Sequence, residues 1–215
     1  MVAIQVHHAF RSLRRTPAFT LTAVLTLIIG IGAVAAIFAV VNGVLLKPLP
    51  YGNPDRLVGA WHDLPPLSLT KANQTAGTYF TYKKLSRSIE SIGLYNEGAA
   101  NVSEASGASE PQRLAAAWVT GSVIPTLQVV PLLGRNFTDA EDLPRGPHAV
   151  IISEGLWRTR FGADRGVIGK TLEVNGLSRQ IVGVMPAAFR FPSAGTRLWL
   201  PLALDPAAPN PGGFN

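Results

Sequence analysis

The chain contains no cysteine and few charged residues. Of its 215 residues, 15% are Asp, Glu, Lys or Arg, whereas these types make up about a quarter of an ordinary soluble domain. The absence of cysteine excludes disulfide bonds, thiolate metal sites and cysteine nucleophiles. The low charge content indicates that a long part of the chain carries no charge at all.

One uncharged segment accounts for this deficit. Residues 18–46 contain no Asp, Glu, Lys or Arg, and about 20 apolar helical residues are enough to cross a bilayer. Thr16 and Pro17 precede the segment as a predicted N-cap and first helical residue. We therefore predict a transmembrane helix at residues 18–46. A cleaved signal peptide is the alternative, although its apolar core normally has only about 7–15 residues.

The positive charges next to this segment predict its orientation. Arg11, Arg14 and Arg15 precede it without an acidic neighbour, and few cations follow it closely. The positive-inside rule then places the N-terminus in the cytoplasm. We predict a cytoplasmic or interfacial amphipathic helix at residues 1–17, for which a frayed basic leader is the alternative, and an extracytoplasmic domain at residues 47–215.

The overall charge does not indicate a nucleic-acid-binding protein. The net charge is +6 and the isoelectric point is about 10.1, but three of the cations lie in the leader and the remainder is close to balance. No basic stripe alternates with aromatic residues, as a nucleic-acid surface would require. We predict no binding to nucleic acid.

Small residues recur at four-residue steps in the predicted span, at Ala35, Ala39 and Gly43. This spacing places them on one face, where small side chains let a second helix approach closely. We predict a helix-packing face there. The alternative is a helix that is merely rich in alanine.

The remainder has the mixed pattern of an α+β domain. Strands are predicted at residues 56–61, 94–102, 113–119, 149–152 and 199–202, and loops at 62–76 and 131–142. Helices are predicted at residues 78–87, 122–127 and 154–161. The Asn175-Gly176 pair predicts a hairpin over residues 171–184. Tyr79, Tyr82 and Leu85 would form one helix face, and Trp157 and Phe161 another that is buried in the core.

One segment superficially matches a phosphate-binding loop. Residues 164–171 end in Gly-Lys-Thr, as a P-loop does. Asp164 occupies the place of the first glycine, where a carboxylate would repel phosphate, and a strand is predicted where a P-loop opens a helix. We predict no nucleotide binding here.

Other candidate catalytic residues also have simpler interpretations. Ser153 lacks the Gly-x-Ser-x-Gly context of a nucleophile and is predicted to cap the following helix. The pair His62-Asp63 lacks an evident third metal ligand, and His148 is isolated. We interpret Glu141 and Asp142 as a solvated acidic loop. The sequence thus predicts no catalytic residue, no metal site and no cofactor.

Seven motifs, in order along the chain, resemble a known family. They are RSLRRTPAFT (residues 11–20), LLKPLPY (45–51), PLLGRNF (131–137), LWRTRFG (156–162), IGKTL (168–172), VGVMP (182–186) and FRFP (189–192). As a set they resemble ABC-transporter permeases of the MacB/FtsX type, particularly long MacB-like permeases without their own ATPase. The chain departs from the family pattern at Val123-Ile124, where aromatic residues are frequent, and at Gln128, where glycine is frequent.

The resemblance implies a fold and a set of partners. The fold would be one N-terminal span followed by a MacB-like periplasmic core domain, incomplete at its C-terminus because such permeases continue with further spans. The protein would lie in the bacterial inner membrane and couple ATP hydrolysis by a separate cytoplasmic ABC ATPase subunit to motion of the periplasmic domain. Further permease helices, or a second copy forming a dimer, would complete it. It would not itself be an enzyme.

Two other functions are compatible with one span and an exported domain. The first is a complete single-span adaptor or sensor. The second is an anchored hydrolase, which is disfavoured because no nucleophile, base and orienting residue are evident together. Coding sequence for further spans beyond Asn215 would favour the permease.

Overall fold

The computed structural model describes residues 16–43, 51–64, 69–103 and 111–207. It divides the chain into two units, Met1–Leu49 and Pro50–Asn215. The interfacial helix predicted at residues 1–17 lies outside the described residues except at its last two positions. The domain limits predicted from the sequence therefore stay predictions.

The first unit contains one long apolar helix, α1 (Pro17–Val41). Proline occupies its first turn as predicted, but the Thr16 side chain accepts no capping hydrogen bond. Its 25 residues extend over about 37 Å at about 1.5 Å per residue, compared with about 30 Å for the hydrocarbon core of a bilayer. The helix is long and apolar enough to cross a membrane, and none of its residues is buried.

The hydroxyl groups of α1 are satisfied within the helix. Thr22 Oγ1 donates to the carbonyl oxygen of Phe19 at 2.9 Å, and Thr26 Oγ1 donates to that of Thr22 at 2.8 Å. A polar group without a partner is costly in lipid. These local bonds make the threonines compatible with an apolar surrounding.

The second unit alternates strands with short helices. Its described strands are β1 (His62–Leu64), β2 (Leu69–Ala72), β3 (Tyr95–Ser103), β4 (Gln112–Val119), β5 (Leu133–Gly134), β6 (Ala149–Ser153), β7 (Thr171–Val174), β8 (Leu177–Met185) and β9 (Leu198–Pro201). Its described α-helices are α2 (Ala76–Leu85), α3 (Val123–Thr126) and α4 (Glu154–Phe161). This composition confirms the predicted α+β class.

Six of these strands close into a barrel. Neighbouring strands follow the order β8, β6, β9, β4, β3, β7, and β7 pairs again with β8. The first half of one β8 edge is covered by β7, and β5 pairs with Gly183 and Val184 in the second half. Strands β1 and β2 form a separate two-stranded sheet.

The core has one apolar cluster on each face of the barrel wall. On β6, Val150 and Ile152 belong to the cluster that includes Trp157 of α4. Ala149 and Ile151 belong to the cluster that includes α3. Because both faces are covered, β6 is a continuous apolar run rather than an alternating one.

Several local predictions are confirmed. Helix α4 has the predicted bounds because Ser153 Oγ accepts the amide N–H of Leu156 at 3.2 Å and Gly162 ends the helix with φ +59°. Asn175 and Gly176 have φ values of +53° and +74°. Positive φ at both positions is what a two-residue type I′ hairpin requires.

Other predictions are wrong. The strand predicted at residues 56–61 is a 3₁₀ turn, Pro54–Arg56, followed by residues that belong to no strand, and the predicted loop at 62–76 contains β1 and β2. A strand needs a partner, and periodicity within one segment does not reveal it. Helix α2 begins and ends two residues earlier than the predicted range 78–87. Tyr79 is buried, but Tyr82 and Leu85 are 39% and 69% exposed, so only the first of these three residues is covered by the rest of the domain.

Candidate functional site

The chain enters the second unit through an aromatic contact and two hydrogen bonds. We call residues 51–57 the entry segment. The Tyr51 ring packs edge-on against Phe189 at 6.3 Å between centroids. The Gly52 amide donates to the carbonyl oxygen of Leu127 at 3.3 Å, and Asn53 Nδ2 donates to Gln128 Oε1 at 3.2 Å. The entry segment is therefore fixed to the residues that follow α3.

We call residues 120–128, which follow β4 and contain α3, the hub. Thr120 donates its amide to the carbonyl oxygen of Leu94 at 2.9 Å, and its Oγ1 accepts the Leu94 amide at 3.0 Å. Val123 and Ile124 are buried in the core cluster that also contains Ile151 of β6. The hub is thus attached to the core on one side and to the chain leading into β3 on the other.

Gln128 marks the point where the hub departs from the resembled family. Its φ of +55° lies in the left-handed region, which glycine adopts without cost. The glycine frequent in the family would suit this conformation, but it could not accept the hydrogen bond from Asn53. Gln128 therefore has a strained backbone conformation, but its side chain makes a hydrogen bond with the entry segment that glycine could not make.

The chain leaves the barrel beside the same hub. We call residues 202–205, which follow β9, the exit segment. The Leu202 amide donates to the carbonyl oxygen of Val119 at 2.9 Å. Asp142 accepts twice, with Oδ2 from the Gly121 amide at 2.7 Å and with Oδ1 from the Ala203 amide at 3.4 Å. The entry segment is thus bonded directly to the hub, whereas the exit segment is bonded to Val119, the residue before the hub, and is connected to the hub through Asp142.

The turn that carries Asp142 has its own anchor. Arg135 donates Nη1 and Nη2 to the two carboxylate oxygens of Glu141, each at 2.8 Å, and the Thr138 amide donates to Glu141 Oε2 at 2.8 Å. Glu141 is only 6% exposed. The interpretation of Glu141 and Asp142 as a solvated acidic loop is therefore wrong, because each carboxylate is turned inward to satisfy specific donors.

The two adjacent carboxyl groups are shifted in opposite directions. The Arg135 hydrogen bonds hold the pKa of Glu141 below its ordinary value, although burial acts the other way. Burial raises the pKa of Asp142, and the amides of Gly121 and Ala203 only partly oppose it. Glu141 thus remains ionised in mild acid, whereas Asp142 takes up a proton more readily than an ordinary aspartate.

We expect Glu141→Gln to destabilise the domain by about 1–2 kcal/mol at neutral pH, since a hydrogen bond to a charged group contributes about 1.5–3 kcal/mol and half-exposed Arg135 is screened by water. Because the folded pKa is lowered, the contribution is present above the unfolded pKa of glutamate and is lost as pH falls through the folded value. Urea midpoints measured across the acid range test this.

Glu90→Gln provides the matched control for that measurement. Glu90 accepts from Arg56 Nη2 at 2.7 Å, but both side chains are more than 70% exposed. Exposed pairs contribute little, so its midpoint should follow the wild type at every pH. Equal behaviour of the two variants would contradict a stabilising role for Glu141.

The predicted packing face lies on the exposed surface of the first unit. Ala35 and Ala39 lie on α1, and Gly43 lies two residues beyond its end. A methyl group placed at Gly43 would meet nothing within 4 Å. Contact of this face with a second helix stays a prediction.

In the segment that ends in Gly-Lys-Thr, the charged side chains of Lys170 and Asp164 pair with each other. Lys170 Nζ donates to Asp164 Oδ2 at 2.7 Å, and Asp164 Oδ1 accepts the Gly166 amide at 2.8 Å. Thr171 begins β7 rather than a helix. The lysine that would reach phosphate in a P-loop is therefore paired with the carboxylate that replaces its first glycine.

Metal ligands do not converge in the part of the chain that the structure describes. No group of three or more His, Cys, Asp or Glu residues in residues 16–43, 51–64, 69–103 and 111–207 could hold an ion. Ser153 acts as the predicted helix cap. The residues that do converge, around the hub, were missed because their partners are distant in sequence; the departure at Gln128 was the one available signal.

Comparison with known proteins agrees with the fold. A family model described as the MacB-like periplasmic core domain matches residues 20–209, and no curated protein sequence matches the chain. The periplasmic region of MacB from Actinobacillus actinomycetemcomitans is similar in structure, with a TM-score of 0.51 and 14% identity over 66% of this chain and 62% of that one.

The extracellular domain of the noncanonic ABC-type transporter YknZ from Gram-positive bacteria is also similar, with a TM-score of 0.48 and 18% identity over 60% of this chain and 63% of that one. The matched region thus spans less than two thirds of each of these structures. The family match covers most of the sequence, including most of α1 and the whole described barrel. The chain therefore belongs to the family of MacB-like periplasmic core domains, which are parts of ABC-transporter permeases.

Proposed function

We propose that the chain is a permease component of an ABC-type export or mechanotransmission system in the bacterial inner membrane. A separate cytoplasmic ABC ATPase hydrolyses ATP, and the resulting movement reaches the extracytoplasmic domain through the span. The observation that carries this proposal is the family match from residue 20 to residue 209, which includes most of the apolar helix and the whole barrel.

Within the second unit, the contacts between the entry segment and the hub provide a physical route for such movement. The entry segment follows the apolar helix in sequence, and it makes two hydrogen bonds to the hub, one from the Gly52 amide and one from the Asn53 side chain. The hub contains the buried side chains of Val123 and Ile124. A displacement of Gly52 would therefore act on packed side chains rather than on a loose loop. Packed cores move as units and do not deform continuously.

The proposal includes partners that the chain needs. One span does not enclose a path across a bilayer, so further permease helices or a second copy of the permease complete the assembly, with Ala35 and Ala39 on the proposed contact face. The lipid bilayer surrounds the remaining surface of α1. No cofactor and no nucleic acid take part.

We expect the domain after the span to be exported. Alkaline phosphatase fused after Leu202 should be active, because it folds only outside the cytoplasm, and β-galactosidase fused at the same point should be inactive. Phosphatase fused before Pro17 is the matched control and should be inactive. The reverse pattern of the two Leu202 fusions would place the domain in the cytoplasm and contradict the proposal.

We expect the purified full chain in lipid nanodiscs to hydrolyse ATP only at background level, with or without Lys170→Ala. Lys170 is paired with Asp164, so it is not available to phosphate. Addition of the cognate ABC ATPase subunit should produce hydrolysis and co-elution with the chain. Hydrolysis that disappears with Lys170 would make the chain an enzyme, and failure to bind any ABC ATPase would favour the adaptor function.

A further inference from the structure

One carboxylate connects the exit segment to the hub. Beyond the last strand bond, in which Leu202 donates to Val119, the Ala203 amide donates to Asp142 Oδ1, while the other oxygen of Asp142 accepts Gly121 of the hub. One side chain therefore bridges two segments that are far apart in sequence. A bridge of this kind couples the position of the exit segment to the position of the hub.

We propose that Asp142 is a positioning residue that acts as an acid-sensitive clasp, fastening the exit segment to the hub when ionised and releasing it when protonated. The use of this clasp in transmitting movement rests on the function proposed above. The clasp itself is a property of the domain and can be measured without any ATPase.

The position of Asp142 does not depend on the segment that it fastens. Its turn is fixed by the paired Arg135 and Glu141 and by the Thr138 amide. Glu141 stays ionised in mild acid because the Arg135 bonds hold its pKa low. Loss of the Asp142 charge therefore leaves the turn in place and removes only the fastening.

The fastened exit segment has a conformation that it would leave on release. Ala203 has a φ of +50°, in the left-handed region that alanine rarely adopts. Such a conformation persists only where the surroundings impose it. In this conformation the Ala203 amide donates to Asp142 Oδ1 at 3.4 Å.

Protonation of Asp142 removes an acceptor that the geometry needs. As a carboxylate it accepts with both oxygens, whereas a protonated carboxyl group places an O–H on one oxygen, where it opposes an N–H donor. Burial raises the pKa of this group, so it becomes neutral at a higher pH than an ordinary aspartate. The clasp is closed at neutral pH and opens as pH falls.

The charges around Asp142 are few. Lys83 of α2 favours the ionised form, and Asp139 of the same turn disfavours it. The hub contributes no ionisable side chain, and Asp205 is the acid of the exit segment. Asp142 is therefore the group that joins hub and exit segment through both of its oxygens, and its own ionisation decides the state of the clasp.

The absence of native cysteine allows a direct test on the full chain in nanodiscs. Spin labels at Ser178→Cys on the barrel and Asp205→Cys on the exit segment report their separation by electron–electron dipolar spectroscopy. We expect one narrow distance distribution at neutral pH that broadens on acidification. Asp142→Ala and Asp142→Asn should both be broad at every pH, because neither side chain offers two acceptor oxygens.

Two controls separate the clasp from general unfolding. A label pair at Ser178→Cys and Gln112→Cys, both on barrel strands, should stay narrow throughout. Asp139→Asn should keep the acid-induced broadening but displace it to lower pH, because Asp139 raises the pKa of Asp142. If Asp142→Ala broadens the barrel pair, the pH response of Asp142→Asn decides the question alone. An exit distribution that is narrow at every pH in wild type, or a pH response that persists in Asp142→Asn, would overturn the clasp. Because no ATPase is present, either result is independent of the proposed transport function.

Discussion

Replacement of Trp157 by alanine should lower the stability of the domain by about 3–5 kcal/mol, the usual cost of truncating a buried aromatic side chain. Trp157 is 7% exposed and lies in the core cluster that also contains Val167. Its Nε1 also donates to the carbonyl oxygen of Asp164 at 2.8 Å. The substitution therefore leaves both a cavity and an acceptor without its partner.

The melting temperature of the full chain, followed by circular dichroism in one detergent, measures this effect. For a domain of this size we expect a decrease of roughly 10 °C or more. Trp61→Ala is the matched control, since Trp61 is 52% exposed and exposed substitutions usually change stability by less than about 0.5 kcal/mol. A Trp157→Ala protein that melts with the wild type would contradict the burial of this side chain.

The second large effect is expected at Gly183, where β5 and β8 approach closely. A methyl group at this position would lie 2.5 Å from the carbonyl oxygen of Arg135 and 3.4 Å from Ile151 Cγ1. The first neighbour is backbone and cannot rotate away, so β5 must separate from β8. We expect Gly183→Ala to cost about 1–3 kcal/mol, as overpacking of a filled core does, and to lower the urea midpoint.

Gly77→Ala tests whether the cost comes from the site or from loss of glycine itself. Gly77 lies in α2, and its nearest neighbour to a new methyl group would be Thr75 Oγ1 at 3.7 Å. Alanine favours a helix over glycine by up to about 1 kcal/mol. This variant should therefore be unchanged or more stable, and a stability loss equal to that of Gly183→Ala would disprove the steric explanation.

Local signals in the sequence were sufficient wherever the structure is itself local. The charge-free run gave α1 because a helix satisfies its backbone groups within one segment. The bounds of α4 followed from Ser153 and Gly162 at its two ends. The hairpin followed from Asn175-Gly176, whose positive φ values few other residue pairs adopt.

Burial of individual side chains was less predictable than the elements that carry them. Trp157 is buried as predicted, but Phe161, one turn later, is only partly buried against the same cluster. Tyr79 and Tyr82 share a helix and differ in the same way. Helical spacing fixes which residues share a face, whereas the width of the surface that covers the face depends on the rest of the fold.

The sequence by itself determined the apolar helix, the α+β class, the main strands and the family resemblance, because each depends on residues that are neighbours in the chain or on motifs in order. Only the tertiary structure decided which residues meet around the hub. Asn53 meets Gln128 across 75 residues, and Asp142 meets Ala203 across 61. Such contacts form when closure of the barrel brings separate segments together. The residues next to Asp142 in its polar loop therefore do not indicate which backbone amides will donate hydrogen bonds to it.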